Sequence, residues 1–148
     1  MKLKALLTLF VLLVGIQVTN AQISFNTGDA SLEAELNLLN DNAKKDLTTF
    51  KSQIVSDFGL TKEKVQDLLD KSLEPAEIIL SGRIADITGN SVDDVVKSYE
   101  ANKDKGWGQV AKDLGIKPGS PEFHALKGKS NKGKGKGNGA PAKGKGKK

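Results

Sequence analysis

The longest regular pattern in the chain runs Leu32, Leu36, Leu39, Ala43, Leu47, Phe50, Ile54 and Phe58. Every step is three or four residues, the spacing that gathers side chains on one face of an α-helix. The phase holds through Asn40-Asp41-Asn42, so the spacing predicts one long N-terminal helix from about Ala30 to Phe58, weakest at that polar centre and roughly 43 Å long. Asp29 can cap its first amides and Gly59 can close it in the left-handed backbone that glycine accepts.

Shorter helices follow. Thr61 is a cap for a second one ending near Ser72, with Leu60 and Val65 as a hydrophobic staple. Pro75 fits the first turn of a third, stapled by Leu73 and Ile78 and stopped by Gly89. Ile78, Ile79, Leu80, Ile84 and Ile87 cover much of its circumference, which predicts a central, buried helix. Ser91 opens a fourth, with a stripe of Val92, Val95, Val96 and Tyr99, and Asp94 stands where a capping-box carboxylate reaches back. A fifth carries Trp107, Val110, Ala111 and Leu114 on one face and closes at Gly115-Ile116. Ser120 and Pro121 start a short last one reaching Lys127. No segment sustains strand alternation, so the expected fold class is all-α: one long N-terminal helix with four or five shorter helices packed around it.

Both ends depart from this pattern. Lys2 and Lys4 precede an apolar run from Ala5 to Val14 and a more polar stretch to Ala21, the three zones of a secretory signal. Thr19 and Ala21 are small residues where a signal peptidase inspects them, which places cleavage after Ala21 and a new N-terminus at Gln22. The apolar run is well short of the roughly 20 residues a spanning helix needs. The expected organisation is a signal peptide at 1–21, an N-terminal coil at 22–29, a helical domain at 30–127 and a disordered Lys/Gly-rich tail at 128–148. The expected location is periplasmic or extracellular.

Composition then narrows the chemistry. The 148 residues contain no cysteine, which excludes disulfides, thiolate metal sites, a cysteine nucleophile and a lipoprotein-type anchor. The net charge of +5 hides a division. The stretch from Gln22 to Leu126 holds 12 basic and 18 acidic residues, whereas the stretch from Lys127 onward holds nine lysines and no acid. Without large apolar residues that tail cannot offset its ordering entropy.

No catalytic constellation stands out. His124 is the single histidine and has no metal-partner spacing; it reads as a surface or packing residue. Asp93 and Asp94 adjoin a helix start, where capping explains them. The tail glycines follow no strand and form no phosphate loop. An enzyme would need carboxylates or lysines converging in a groove against the long helix. Trp107, between Gly106 and Gly108, is either a core anchor or an exposed stacking platform; its phase with Val110, Ala111 and Leu114 favours the core, and the glycines let neighbouring backbone approach the large ring. Ala111, Gly115 and Ile116 also have the spacing of half a helix-turn-helix, but Pro118, Gly119 and Pro121 fall where a recognition helix should run. No catalytic, cofactor or metal site is expected.

The segments Gly106-Trp107-Gly108, Leu114-Gly115-Ile116-Lys117-Pro118-Gly119-Ser120 and Glu122-Phe123-His124-Ala125-Leu126 resemble an uncharacterised family of secreted bacterial proteins. The resemblance implies a signal peptide, a helical domain and a Lys/Gly/Asn-rich end, and it implies no activity.

What remains as candidate chemistry is the polycation formed by Lys129, Lys132, Lys134, Lys136, Lys143, Lys145, Lys147 and Lys148. As a free coil it would span roughly 25 Å end to end. Lysines on a glycine chain suit any polyanion: lipopolysaccharide, acidic polysaccharide, anionic lipid or extracellular nucleic acid. The tail has no aromatic residue, so base stacking is not available to it.

Overall fold

The computed structural model describes residues 21–128. The signal-like residues 1–20 and the tail lysines Lys129 to Lys148 lie outside the described residues. The described residues form seven helices: α1 (Ala30–Lys45), α2 (Leu47–Phe58), α3 (Lys62–Asp70), α4 (Pro75–Thr88), α5 (Val92–Ala101), α6 (Trp107–Asp113) and α7 (Pro121–Leu126). There is no strand among the described residues, and the all-α expectation holds.

The long first helix is instead two helices, and the reason is Asp46. Its backbone leaves the helical region (φ −145°, ψ 83°) while its carboxylate accepts the Thr49 amide at 3.0 Å and the Thr49 hydroxyl at 2.6 Å. An acidic side chain that satisfies the free amides of a new first turn competes with helix continuation. These two bonds hold the Asp46 carboxyl below the usual carboxylate range, the Thr49 hydroxyl contributing most. As first residue of α2, Leu47 is left 42% exposed although the apolar phase includes it.

The polar centre at Asn40 does not break the helix, because Asn40 faces inward. It is buried, its Oδ1 accepts the Ala76 amide at 3.2 Å, and its Nδ2 donates to Glu74 Oε2 at 3.0 Å. One side chain of α1 thus caps the start of α4 from 36 residues away in sequence. Lys44 meets the same Glu74 carboxylate at 2.7 Å. Burial raises Glu74, but Lys44 and then Asn40 outweigh it and keep the carboxyl below its ordinary range.

Helix α4 is central, as its apolar circumference implies, packing against α1, α2, α3, α5 and α7. Ile78, Leu80, Ser81, Gly82 and Ile84 are all buried, and the Ser81 hydroxyl is satisfied by the Ile78 carbonyl at 2.8 Å. Gly82 is there for proximity: a Cβ would lie 2.6 Å from the Phe58 ring, so its absence lets the end of α2 lie against α4. The caps fall where the residue types place them: Asp29, Thr61, Ser91 and Ser120 each accept an amide of the first turn, and Gly59 and Gly89 close α2 and α4 in the left-handed region. Asp94 differs in detail, its carboxylate taking the Ser91 hydroxyl at 2.6 Å. No helix among the described residues is long and apolar enough to cross a membrane.

The role assigned to Asn40 is testable against its exposed neighbour. Asn40→Ala strands a buried helix-start amide and lowers the unfolding free energy by about 2 kcal/mol, whereas Asn42→Ala changes it by less than about 0.5 kcal/mol. Urea denaturation of the two variants checks the difference.

Candidate functional site

The Gly106-Trp107-Gly108 segment joins the N-terminal residues to α4 and α5. Trp107 is 1% exposed, so it is a core residue and not an open stacking platform. Its indole Nε1 donates to Glu77 Oε1 at 3.1 Å, and its ring stacks on Tyr99 with centroids 4.3 Å apart and planes 13° from parallel. The Tyr99 hydroxyl donates to the same Glu77 oxygen. The other oxygen, Oε2, accepts the Glu74 amide at 2.8 Å. Glu77 is therefore a buried carboxylate with donors from the α4 start, α5 and α6, the condition under which a charge is tolerated in a core.

The flanking glycines serve the chain's own N-terminal segment. Residues 22–28 run without helix or strand along α1 to the start of α6. The amides of Trp107 and Gly108 donate to the carbonyls of Phe25 (3.0 Å) and Asn26 (2.9 Å). A Cβ at position 106 would sit 2.3 Å from the Asn26 Cβ, and one at 108 would sit 2.7 Å from the Thr27 carbonyl oxygen. Gly106 also has φ +76°, which disfavours any other residue. Along α1, Asn37 grips the Ile23 peptide from both sides, accepting its amide at 2.8 Å and donating to its carbonyl at 2.9 Å. Glu33 accepts the amides of Phe25 (2.9 Å) and Thr27 (2.6 Å). Phe25 itself is buried in the core.

The C-terminal exit is also fixed on α1. Arg83 pairs with Glu35 at 2.9 Å and donates to the Leu126 carbonyl at 2.8 Å. The Gly128 amide donates to both Glu35 oxygens at 3.0 and 3.1 Å. Lys127 lies 2.6 Å from Asp29 and over the Phe123 ring. The Lys127 ammonium, with the Leu32 amide behind it, holds the Asp29 carboxyl below its usual range. A Cβ at position 128 would lie 2.3 Å from the Arg83 guanidinium, so a larger residue there would push that side chain aside.

His124 is exposed at the edge of Phe123, and Asp93 pairs with Lys64 across α3 and α5. A solvent-open groove between α2 and α3 gathers Lys51, Lys62, Glu63, Gln66, Asp67 and Asp70, the carboxylate and lysine mixture an acid-base site would need. Its polar groups bond to one another instead: Lys51 to Gln66, and Gln66 to Asp70 at 2.6 Å. Beside it, Asp67 meets Lys71 at 3.0 Å and raises that ammonium, keeping it protonated. Among the described residues no His, Cys, Asp and Glu side chains gather as a metal-ligand group. In α7, Phe123 and Leu126 point inward and leave Glu122, His124 and Ala125 outside, a surface poor in groups that read base edges.

Comparison with known proteins finds no matching family model, no matching curated protein and no matching solved structure.

Sequence reasoning placed Trp107 and the role of small flanking residues but missed Glu77, Glu33, Asn37 and Arg83. Glu77 carried a signal: an acid inside the most apolar helix of the chain must meet donors.

The Glu77 cluster sets a pH dependence. An unfolded tyrosine ionises near 10; in the fold, burial first and then the Glu77 carboxylate push the Tyr99 phenol up. Ionisation is thus easier in the unfolded chain, so the stabilisation is complete below about pH 10 and is lost progressively above it. Phenolate absorbance of the single tyrosine should rise only well above pH 10 or together with unfolding. Glu77→Gln turns one acceptor into a donor facing the Glu74 amide, lowering stability by about 1–3 kcal/mol and bringing the Tyr99 titration downward.

Proposed function

We propose that this chain is an exported, non-enzymatic helical module that carries a polycationic arm, Lys129 to Lys148, for contact with polyanions at the cell envelope or outside the cell. The observation that carries this reading is the division of charge. An acidic domain from Gln22 to Leu126 ends in a segment with lysine as its only charged residue. The root of that segment is fastened by Lys127 to Asp29 and by Gly128 to Glu35, so the arm starts from a defined point on α1. The buried carboxylate Glu77 supports a structural domain: its oxygens are engaged by Tyr99, Trp107 and the Glu74 amide and hold helices together.

Lysines that neutralise phosphates release counterions, so affinity falls steeply with salt and shows little sequence preference. Engagement of all eight tail lysines on duplex DNA corresponds to a slope of log affinity on log salt of roughly −7.

The test compares the chain from Gln22 to Lys148 with one ending at Gly128, which keeps the Lys127 and Gly128 contacts. Both are titrated with lipopolysaccharide, acidic polysaccharide, anionic vesicles and duplex DNA across a salt series. Salt-sensitive binding by the full chain and its loss on truncation is the expected outcome. Equal binding by both, or sequence-selective DNA binding that survives raised salt, moves recognition to the helices and overturns the proposal.

A further inference from the structure

The segment 22–28 is bound to the domain as an extended peptide ligand is bound to a receptor. Its main-chain groups are read by side chains of α1 and by the first amides of α6, while Phe25 fills a place in the core. Recognition of alternating backbone groups with one buried aromatic anchor is how extended peptides are held in grooves. If the segment leaves, the Glu33 carboxylate and the site of Phe25 lose their partners and Asn37 keeps only its bond to the Glu33 carbonyl; an identical segment restores the rest.

The connection to α1 is short and turns at two left-handed positions, of which Gly28 is the nearer to the helix. Gly28 has φ +78° and Asn26 φ +51°, and these left-handed positions turn the chain back along the helix that follows. Nothing lies within 4 Å of a Cβ built on Gly28, so a side chain there meets no clash, and the buried Thr27 hydroxyl spans the turn, accepting the Asp29 amide at 3.3 Å and donating to its carbonyl at 3.2 Å. We propose that residues 22–28 are an exchangeable strap. In the monomer they fill the groove between α1 and α6 of their own domain, and on straightening at Gly28 they fill the same groove of a second copy of this chain. Exchange of an identical element adds no new interface chemistry, and the hinge sets which form prevails. The short tether gives the strap of the same chain a high effective concentration, so the native hinge favours the monomer.

The experiment uses the chain from Gln22 to Lys148 and changes only the hinge. Gly28→Ala and Gly28→Val penalise the left-handed turn without steric conflict. Either variant raises the dimer association constant by about tenfold or more, the factor to which left-handed strain on an L residue corresponds, as read by sedimentation equilibrium over a concentration series. Gly89→Ala is the control, because Gly89 has φ +74° and equally open space but closes α4 far from the strap in sequence; it loses stability and stays monomeric. In a mixture of differently isotope-labelled Gly28→Ala chains, contacts between the Trp107 amide and Phe25 appear between copies. Adding Phe25→Ala to Gly28→Ala returns the protein to monomer. Gly28 variants that remain monomeric with the strap docked or released, or a Gly89→Ala dimer of equal strength, would overturn the proposal. Since none of these readouts uses the tail lysines, failure here is separate from failure of polyanion binding.

Discussion

A carboxylate buried in a helical core fixes its surroundings more strictly than an apolar side chain does, because each of its oxygens must keep its donors or several kcal/mol are lost. Glu77 imposes that constraint on this molecule. Its donors lie at the start of α4, on α5 and on α6, so the three helices cannot slide past one another as greasy surfaces can. The stacked Tyr99 and Trp107 rings carry the two side-chain donors and hold α6 in one orientation. That orientation in turn aims the Trp107 and Gly108 amides at the N-terminal segment. On the opposite side of the α4 start, Asn40 and Lys44 of α1 engage the Ala76 amide and the Glu74 carboxylate. The polar groups around one helix terminus therefore register α1, α4, α5 and α6 against each other, and the apolar core fills in around them.

Most of the helices were legible because their caps are local. Asp29, Thr61, Ser91, Ser120, Gly59 and Gly89 each act within a turn of their own position, and the residue type states the role. The break at Asp46 escaped because it conflicts with a longer-range signal: the apolar phase passes through Ala43, Leu47 and Phe50 without a slip, while Asp46 and Thr49 carry the local message that a helix starts there. Local capping prevailed, and the exposed Leu47 marks the cost. Asn40 was misread for a different reason. A polar residue in an apolar stripe looks like weakness until its partner is known, and that partner lies 36 residues further on.

The candidate site was less legible than the fold, for the same physical reason. Trp107 could be placed in the core because its own helix supplies the phase. Its connections could not, since Glu77 and Tyr99 come from two other helices, and the Phe25 carbonyl that its amide meets is a main-chain group with no sequence signature. The glycines around Trp107 show the limit well. Their small size signals close approach, but only the fold reveals that what approaches is the backbone of residues 25–27. The tail had the opposite character: its charge is fully legible in composition, while its point of attachment, at Lys127 and Gly128, required the positions of Asp29, Glu35 and Arg83.

Both ends of the described chain are held by the first half of α1, and this bears on how the acidic domain and the basic arm coexist. An opposite charge of this size within one chain would be expected to draw the lysines back onto the nearest carboxylates, which lie beside the arm's root. Those carboxylates are already engaged. Asp29 holds Lys127 and the Leu32 amide, Glu35 holds Arg83 and Gly128, and Glu33 has both oxygens on the N-terminal segment. Exposed pairs elsewhere on the surface contribute at most about 1 kcal/mol each. The acidity at the start of α1 is thus spent on fastening both ends of the described chain, with Asp29 and Glu35 on one and Glu33 on the other.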